Sequence, residues 1–191
     1  MGNIVCAANE CGGHAEATDL LLNNLGHYVV SGSRDGTNAF VLEYADSGYQ
    51  AGWISTLSSM EQFDLVRQDS DHNYYVVGQS STASIIVARF SSSFNLDTTA
   101  FGCDTNLPPV CSGYREYNFS FAEAKAYDAV LYNDELYVVG SVTESSAPTS
   151  PDGLVFKLTY DGSLDPTFGS SSGFTQVYGC LLYTSPSPRD R

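Results

Sequence analysis

Three aspartates recur at one place in three similar stretches: Thr18-Asp19-Leu20-Leu21-Leu22, Phe63-Asp64-Leu65-Val66 and Tyr127-Asp128-Ala129-Val130. Each opens an apolar run that reads as a strand. Carboxylates repeated at one point of a repeated fold could ring a channel, holding a cation or working as an acid–base pair. Aspartate at a strand entry also accepts hydrogen bonds from nearby main-chain amides. A residue that recurs with its unit most simply serves that unit's structure, so the structural role is the expectation.

Other groups offer less. Asp69-Ser70-Asp71-His72-Asn73 has the alternate oxygens of a calcium loop. It lacks the glycine that follows in such loops and the distal glutamate, so it reads as a polar hairpin turn and calcium is left without a supporting motif. Ser33-Arg34-Asp35-Gly36-Thr37 is similar to the Asp-box of sialidase-type propellers, but it misses the second glycine and the closing tryptophan and occurs once. His14, His27 and His72 show no metal or acid–base spacing, and no G-x-S-x-G elbow is present. No catalytic residue, metal ligand or cofactor is expected.

With Cys180 set aside, four cysteines form two close pairs, Cys6 with Cys11 and Cys103 with Cys111. Loop-closing disulfides in an oxidising compartment are the simplest reading. Four thiolates on one zinc is the rival, but the spacing is not C-x₂-C and the pairs lie about two repeat units apart. Asn118-Phe119-Ser120 is a glycosylation sequon, compatible with secretion.

The elements that carry these residues repeat. His27-Tyr28-Val29-Val30-Ser31-Gly32, Tyr74-Tyr75-Val76-Val77-Gly78-Gln79 and Leu136-Tyr137-Val138-Val139-Gly140-Ser141 are aromatic, β-branched runs that a glycine is expected to stop. Each is followed by a second run, at Phe40–Tyr44, Ile86–Phe90 and Leu154–Leu158. The glycines lie 46 and then 62 residues apart, and turn formers inserted from Ser145 to Pro151 account for much of the increase. The third copy offers four strand-like pieces, Tyr127–Tyr132, Glu135–Val139, Leu154–Tyr160 and Gly173–Tyr178. Gly, Asn, Asp, Ser and Pro fill the gaps between them. The nearest approach to a helical stripe, Ala122 to Ala129, lacks length and a stop signal. Short strands at such a period predict an all-β chain: an incomplete β-propeller of about three four-stranded antiparallel blades, 1–57, 58–114 and 115–179.

Asp161-Gly162-Ser163-Leu164-Asp165-Pro166-Thr167-Phe168-Gly169 resembles the signature of the delta-60 repeat family, a β-propeller repeat. A degenerate copy runs from Phe94 through Leu96, Asp97 and Phe101 to Gly102. Gly32, Gly78 and Gly140, closing the valine hairpins, fit the family's other strand pair. The resemblance covers about residues 17 to 179 and is weakest in the first copy, where Gly48 to Gly52 lacks the Leu-Asp pattern. It implies a blade of a large secreted or surface protein and does not by itself imply a catalytic residue, because such repeats are chiefly architecture. Phe101 and Phe168 have the character of packing anchors between blades, and Gly102 and Gly169 of backbone turns.

Residues 180–191 resemble a translated sequencing adapter and are left out of fold reasoning. The expectation is that the native chain continues past Tyr178, and that Met1, with no signal peptide after it, is internal or has lost its leader. Acidic residues outnumber basic ones 22 to 8, a net charge of −14 that repels phosphate backbones and anionic membranes, so nucleic acid is excluded as a partner. No apolar run is long enough for membrane insertion. The functional expectation is a non-catalytic extracellular or cell-surface scaffold for a protein or glycan ligand, held by the loops Ser145–Pro151 and Cys103–Cys111. The alternatives are blades of a propeller glycoside hydrolase or lyase with its active site in missing sequence, and a structural array in an adhesin.

Overall fold

Tyr74-Tyr75-Val76-Val77 and Ile85-Ile86-Val87-Ala88 bury every side chain, which a strand can do only when its sheet is covered on both faces. They belong to the middle of three sheets in a computed structural model, which describes residues 14–54, 60–104, 109–146, 150–169 and 172–178. The first sheet comprises β1 (Ala15–Leu22), β2 (Tyr28–Arg34), β3 (Asn38–Ala45) and β4 (Gly48–Ile54). The second holds β5 (Met60–Gln68), β6 (Tyr74–Ser80), β7 (Ile85–Phe90) and β8 (Tyr114–Tyr117). The third holds β9 (Glu123–Tyr132), β10 (Glu135–Thr143), β11 (Asp152–Leu158) and β12 (Phe174–Val177). Each is an antiparallel meander in chain order. There is no helix among the described residues, so none is long and apolar enough to cross a membrane. The second sheet runs to Tyr117, three residues past the sequence boundary drawn at 114.

The three repeated glycines do not stop their strands. Gly32, Gly78 and Gly140 lie inside β2, β6 and β10, which continue to Arg34, Ser80 and Thr143. Each faces a β-bulge in the first strand of its sheet. Gly32 pairs with Ala17 and Ser31 with Asp19, so Thr18 is the extra residue. Gly78 pairs with Phe63 and Val77 with Leu65, so Asp64 is extra. Gly140 pairs with Ala126 and Val139 with Asp128, so Tyr127 is extra. The bulge presses a carbonyl onto the glycine: a Cβ there would lie 2.0, 1.9 and 1.9 Å from the main-chain oxygens of Glu16, Gln62 and Lys125. Only a residue without a side chain fits so close an approach.

This register defines two faces that every sheet repeats. One carries the rows Leu20–Val30–Leu42, Val66–Val76–Ala88 and Ala129–Val138–Phe156. The other carries Asp19–Ser31–Val41, Leu65–Val77–Val87 and Asp128–Val139–Val155. One core packs Val29, Ala39 and Val41 of the first sheet against Phe63, Val66, Val76 and Ala88 of the second. A second core packs Leu65, Val77 and Val87 of the second sheet against Ala129, Val138 and Phe156 of the third. The docking face of each later sheet therefore meets the accepting face of the one before, head to tail.

Strand direction sorts the loops. The turns β1–β2, β5–β6 and β9–β10 share one end, where the Asn24 amide donates to Gln68 at 3.1 Å and Ser70 donates to Asp134 at 2.9 and 2.7 Å. The loops β3–β4, β7–β8 and β11–β12 return there too. At the opposite end lie β2–β3, β6–β7, β10–β11 and the connections between sheets.

Candidate functional site

The first strands of the three sheets bring two of the three repeated aspartates to a single cation, Arg67 on β5. Its Nη1 donates to Asp19 Oδ2 at 2.6 Å, its Nη2 to Asp128 Oδ1 at 2.7 Å, and its Nε to the Ala129 carbonyl at 2.6 Å. Asp19 also accepts from the Val66 and Leu20 amides at 3.0 and 2.9 Å, and Asp128 from the Ala129 amide at 2.8 Å. These carboxylates thus serve a guanidinium and main-chain donors, a structural use. Asp64 stands apart: it occupies the bulge position of Thr18 and Tyr127, one step off the register of Asp19 and Asp128. Burial raises its pKa, a hydrogen bond from Gln62 opposes the rise, and the negative charge of Glu16 adds to it.

A second arrangement is built twice, around the motif that carried the family resemblance. After β7, Leu96 bridges back to Phe90, and the Asp97 amide donates to the Arg89 carbonyl at 2.9 Å. After β11, Leu164 bridges to Leu158, and the Asp165 amide donates to the Lys157 carbonyl at 2.9 Å. Each loop returns its aspartate to the cation of the strand it left. Arg89 donates through Nε to Asp97 Oδ2 at 2.8 Å, and Lys157 Nζ to Asp165 Oδ2 at 2.6 Å. The same carboxylates organise their loops, Asp97 accepting from Thr99 Oγ1 at 2.6 Å and Asp165 from Thr167 Oγ1 at 2.7 Å. Burial alone would raise the Asp97 pKa, but the bonds from Thr99 and Arg89 outweigh it and hold it low. Lys157 and Thr167 hold the Asp165 carboxyl down to about 2.

Aromatic rings flank both cations. Arg89 is fully buried, its guanidinium 5.2 Å from the Phe101 ring and 3.8 Å from the Tyr160 ring. Phe101 is itself fully buried and meets Tyr75 edge-on at 5.9 Å. In the third sheet Phe168 meets Tyr137 at 5.9 Å, and Lys157 Nζ sits 5.5 Å from the Tyr137 ring. Gly102 and Gly169 turn both loops at φ +66° and +63°. The two sites differ in what covers them. The β11–β12 turn closes the first: Arg89 Nη1 donates to the Tyr160 carbonyl at 2.7 Å, and the Gly102 amide donates to the Asp161 carbonyl at 2.9 Å. At the second, Gly169 is exposed and Phe168 only half-buried.

The remaining sequence candidates scatter. Cys103 and Cys111 are joined by a disulfide in the β7–β8 connection. Cys6 and Cys11 lie outside the described residues, as does the tail after Tyr178. The loop around Ser145 to Pro151, whose residues 147–149 are also outside the described set, joins β10 to β11. It therefore lies at the opposite end from the Cys103–Cys111 loop, and the two do not line one site. Asp69 accepts from the Asn73 amide and side chain at 2.7 and 3.0 Å, tying the β5–β6 turn together. No cluster of three or more His, Cys, Asp or Glu among the described residues is arranged to hold a metal ion. Asn118 is exposed beside an open cavity of about 390 Å³ lined by Glu116, Phe119, Ser120 and Phe174, between the last strands of the second and third sheets.

Sequence reasoning missed Arg67 and Arg89. Their acceptors on other sheets lie 48, 61 and 71 residues away, so no local pattern announces them. Compared with protein-family models, curated proteins and solved structures, the chain matches none.

Proposed function

We propose that this chain supplies three consecutive blades of a secreted or cell-surface β-propeller of the delta-60 repeat type, a non-catalytic scaffold for a protein or glycan ligand. The observation that carries the reading is the head-to-tail packing of like sheets through the same two faces, with their first strands fastened together by Arg67. That is how blades succeed one another around a propeller axis. The twice-built Leu-Asp and Phe-Gly loop supports the family assignment. The Cys103–Cys111 disulfide supports an oxidising compartment. Engagement of Asp19 and Asp128 by Arg67 supports a structural use of the inner carboxylates over an acid–base one.

The cavity at Asn118–Ser120 is lined by the Phe119 ring and by Glu116, a pairing of apolar and hydrogen-bonding groups that suits a sugar ring. The test is an NMR titration of the full chain against a panel of oligosaccharides. Shifts confined to Glu116, Phe119 and Phe174, and abolished by Phe119→Ala, are expected. Saturating oligosaccharide that moves no resonance at the cavity would overturn the glycan-binding reading.

A further inference from the structure

The sequon Asn118-Phe119-Ser120 forms the turn that follows β8, and all three residues line the cavity between β8 and β12. Phe119 and Ser120 both take positive φ, 54° and 65°, and the Phe121 amide closes the turn on the Asn118 carbonyl at 3.0 Å. The Ser120 amide donates to Asn118 Oδ1 at 3.1 Å, which holds the side-chain amide in place. Asn118 is exposed, and its Nδ2 has no acceptor among the described residues. Beside it the Phe119 ring is fixed with its centroid 4.9 Å from that of Phe174 and 5.1 Å from that of Phe156. A free acceptor amide and a cavity of mixed lining therefore lie side by side.

We infer that Asn118 is an N-glycosylation site and that the innermost sugar of the attached oligosaccharide seats in this cavity. The inference rests on the secreted reading given above, and it names the sugar that the cavity takes: the chain's own glycan. Asn-X-Ser with X other than proline is the acceptor signal, and the folded surface must leave room for the bulky group. Transfer joins Asn118 Nδ2 to the anomeric carbon of a lipid-linked oligosaccharide pyrophosphate. The bond from that carbon to the phosphate oxygen breaks, the lipid pyrophosphate departs, and the amide gives up one proton. The cavity, about 390 Å³, is at the small end of the range of about 300–1,000 Å³ for ligand pockets. It admits a sugar residue and leaves the outer glycan in solvent. Phe119, Leu164 and Phe174 line it with apolar groups and Glu116 adds a polar one, which suits the two characters of a pyranose. Seated there, the sugar spans the second and third sheets and covers the outer edge of β8, which is otherwise open to pairing with other strands.

The full chain, secreted from a eukaryotic cell behind a cleavable leader, tests the site by peptide mass spectrometry. An oligosaccharide on the Asn118 peptide, absent from Asn118→Gln and Ser120→Ala, is expected. An unmodified peptide in the secreted wild type overturns the site. Seating is read by titrating free oligosaccharide into the glycosylated chain and into unmodified chain made in bacteria. Phe119 and Phe174 resonances should shift in the unmodified chain and stay still in the glycosylated one, whose cavity is already filled. Equal shifts in both overturn the seating and leave the cavity's affinity for sugar standing. Silence in both overturns that affinity, and the peptide result then decides the modification alone. The glycosylated chain should also unfold at a urea midpoint about 0.5 M above Ser120→Ala, beyond any difference the same two chains show when made in bacteria. Phe119→Ala keeps the acceptor signal but should lose that gain, and a gain that survives it overturns the seating.

Discussion

Replacing Gly78 with alanine tests the bulge that sets the register of every sheet. The new Cβ would lie 1.9 Å from the Gln62 carbonyl oxygen and 2.7 Å from the Phe63 Cα, both main-chain atoms that no rotamer change can move. Ordinary contact begins at about 3.4 Å, so β5 and β6 must separate by more than an ångström or give up the bulge. Separation sacrifices about two ladder hydrogen bonds at about 1 kcal/mol each, and overpacking adds about 1–3 kcal/mol. Alanine also restricts the unfolded chain, which offsets about 0.4–1 kcal/mol of that cost. A net loss of about 3 kcal/mol is expected. With a urea m-value of about 2 kcal/mol/M, the unfolding midpoint should fall by about 1.5 M.

Gly36→Ala is the matched control. Its Cβ would meet nothing within 4 Å, and its φ of +65° adds left-handed strain of only about 1–2 kcal/mol. Gly140→Ala, with the Lys125 oxygen also at 1.9 Å, should behave as Gly78→Ala does. Urea unfolding of the three variants followed by far-UV circular dichroism decides the matter. If Gly78→Ala and Gly140→Ala lose no more stability than Gly36→Ala, the bulge does not require glycine and does not set the register.

Three further outcomes are expected. Arg89→Met leaves the Asp97 carboxylate and the Tyr160 carbonyl without their buried donor and should cost about 3 kcal/mol by urea unfolding; a loss under about 1 kcal/mol would refute the role given to this cation. Asp97, Asp161 and Asp165 all have pKa values below the ordinary carboxylate value of about 3.9, so the stability they add is present above that pH and lost as pH falls through their folded values. An acid titration should therefore show stability falling between about pH 4 and pH 2, and Asp165→Asn should flatten that limb; an unchanged limb would contradict the assignment. Reducing Cys103–Cys111, which closes a short loop, should lower stability by about 2–3 kcal/mol, and non-reducing peptide mapping should recover the linked pair.

The sheets were legible in the sequence chiefly through their second strands. The runs at Tyr28–Val30, Tyr74–Val77 and Tyr137–Val139 are β-branched and aromatic because neighbours cover them or equivalent rows, and composition alone exposes them as strands. The last strands were less visible. β4 carries Gly48 and Gly52, and β8 is the four-residue Tyr-Arg-Glu-Tyr, so neither shows the β-branched run by which the inner strands are read. The aspartates aligned by sequence at 19, 64 and 128 fall one step out of register at Asp64, since a bulge inserts a residue that two-residue periodicity cannot count. That the Cys103–Cys111 and Ser145–Pro151 loops point to opposite ends required strand direction, which no composition reveals.

One position resists the apolar logic of the interfaces. Register places Glu43, Arg89 and Lys157 at the same point of the third strand in successive sheets, and each is largely buried. The first sheet has no Leu-Asp loop to supply a partner, because Asp46-Ser47 joins β3 directly to β4. There the sign is reversed: Glu43 accepts from Asn23 Nδ2 at 2.6 Å and lies 3.2 Å from His27 Nδ1, both from the β1–β2 turn. A paired buried charge adds little net stability, but mispairing it with an apolar or like-charged neighbour costs several kcal/mol. Each of these charges is paired chiefly within its own sheet, so each sheet neutralises its own buried charge before a neighbour covers it. Exchanging Glu43 and Arg89 between sheets should accordingly leave both without partners and lower the urea midpoint by more than Gly36→Ala does; an unchanged midpoint would refute the pairing.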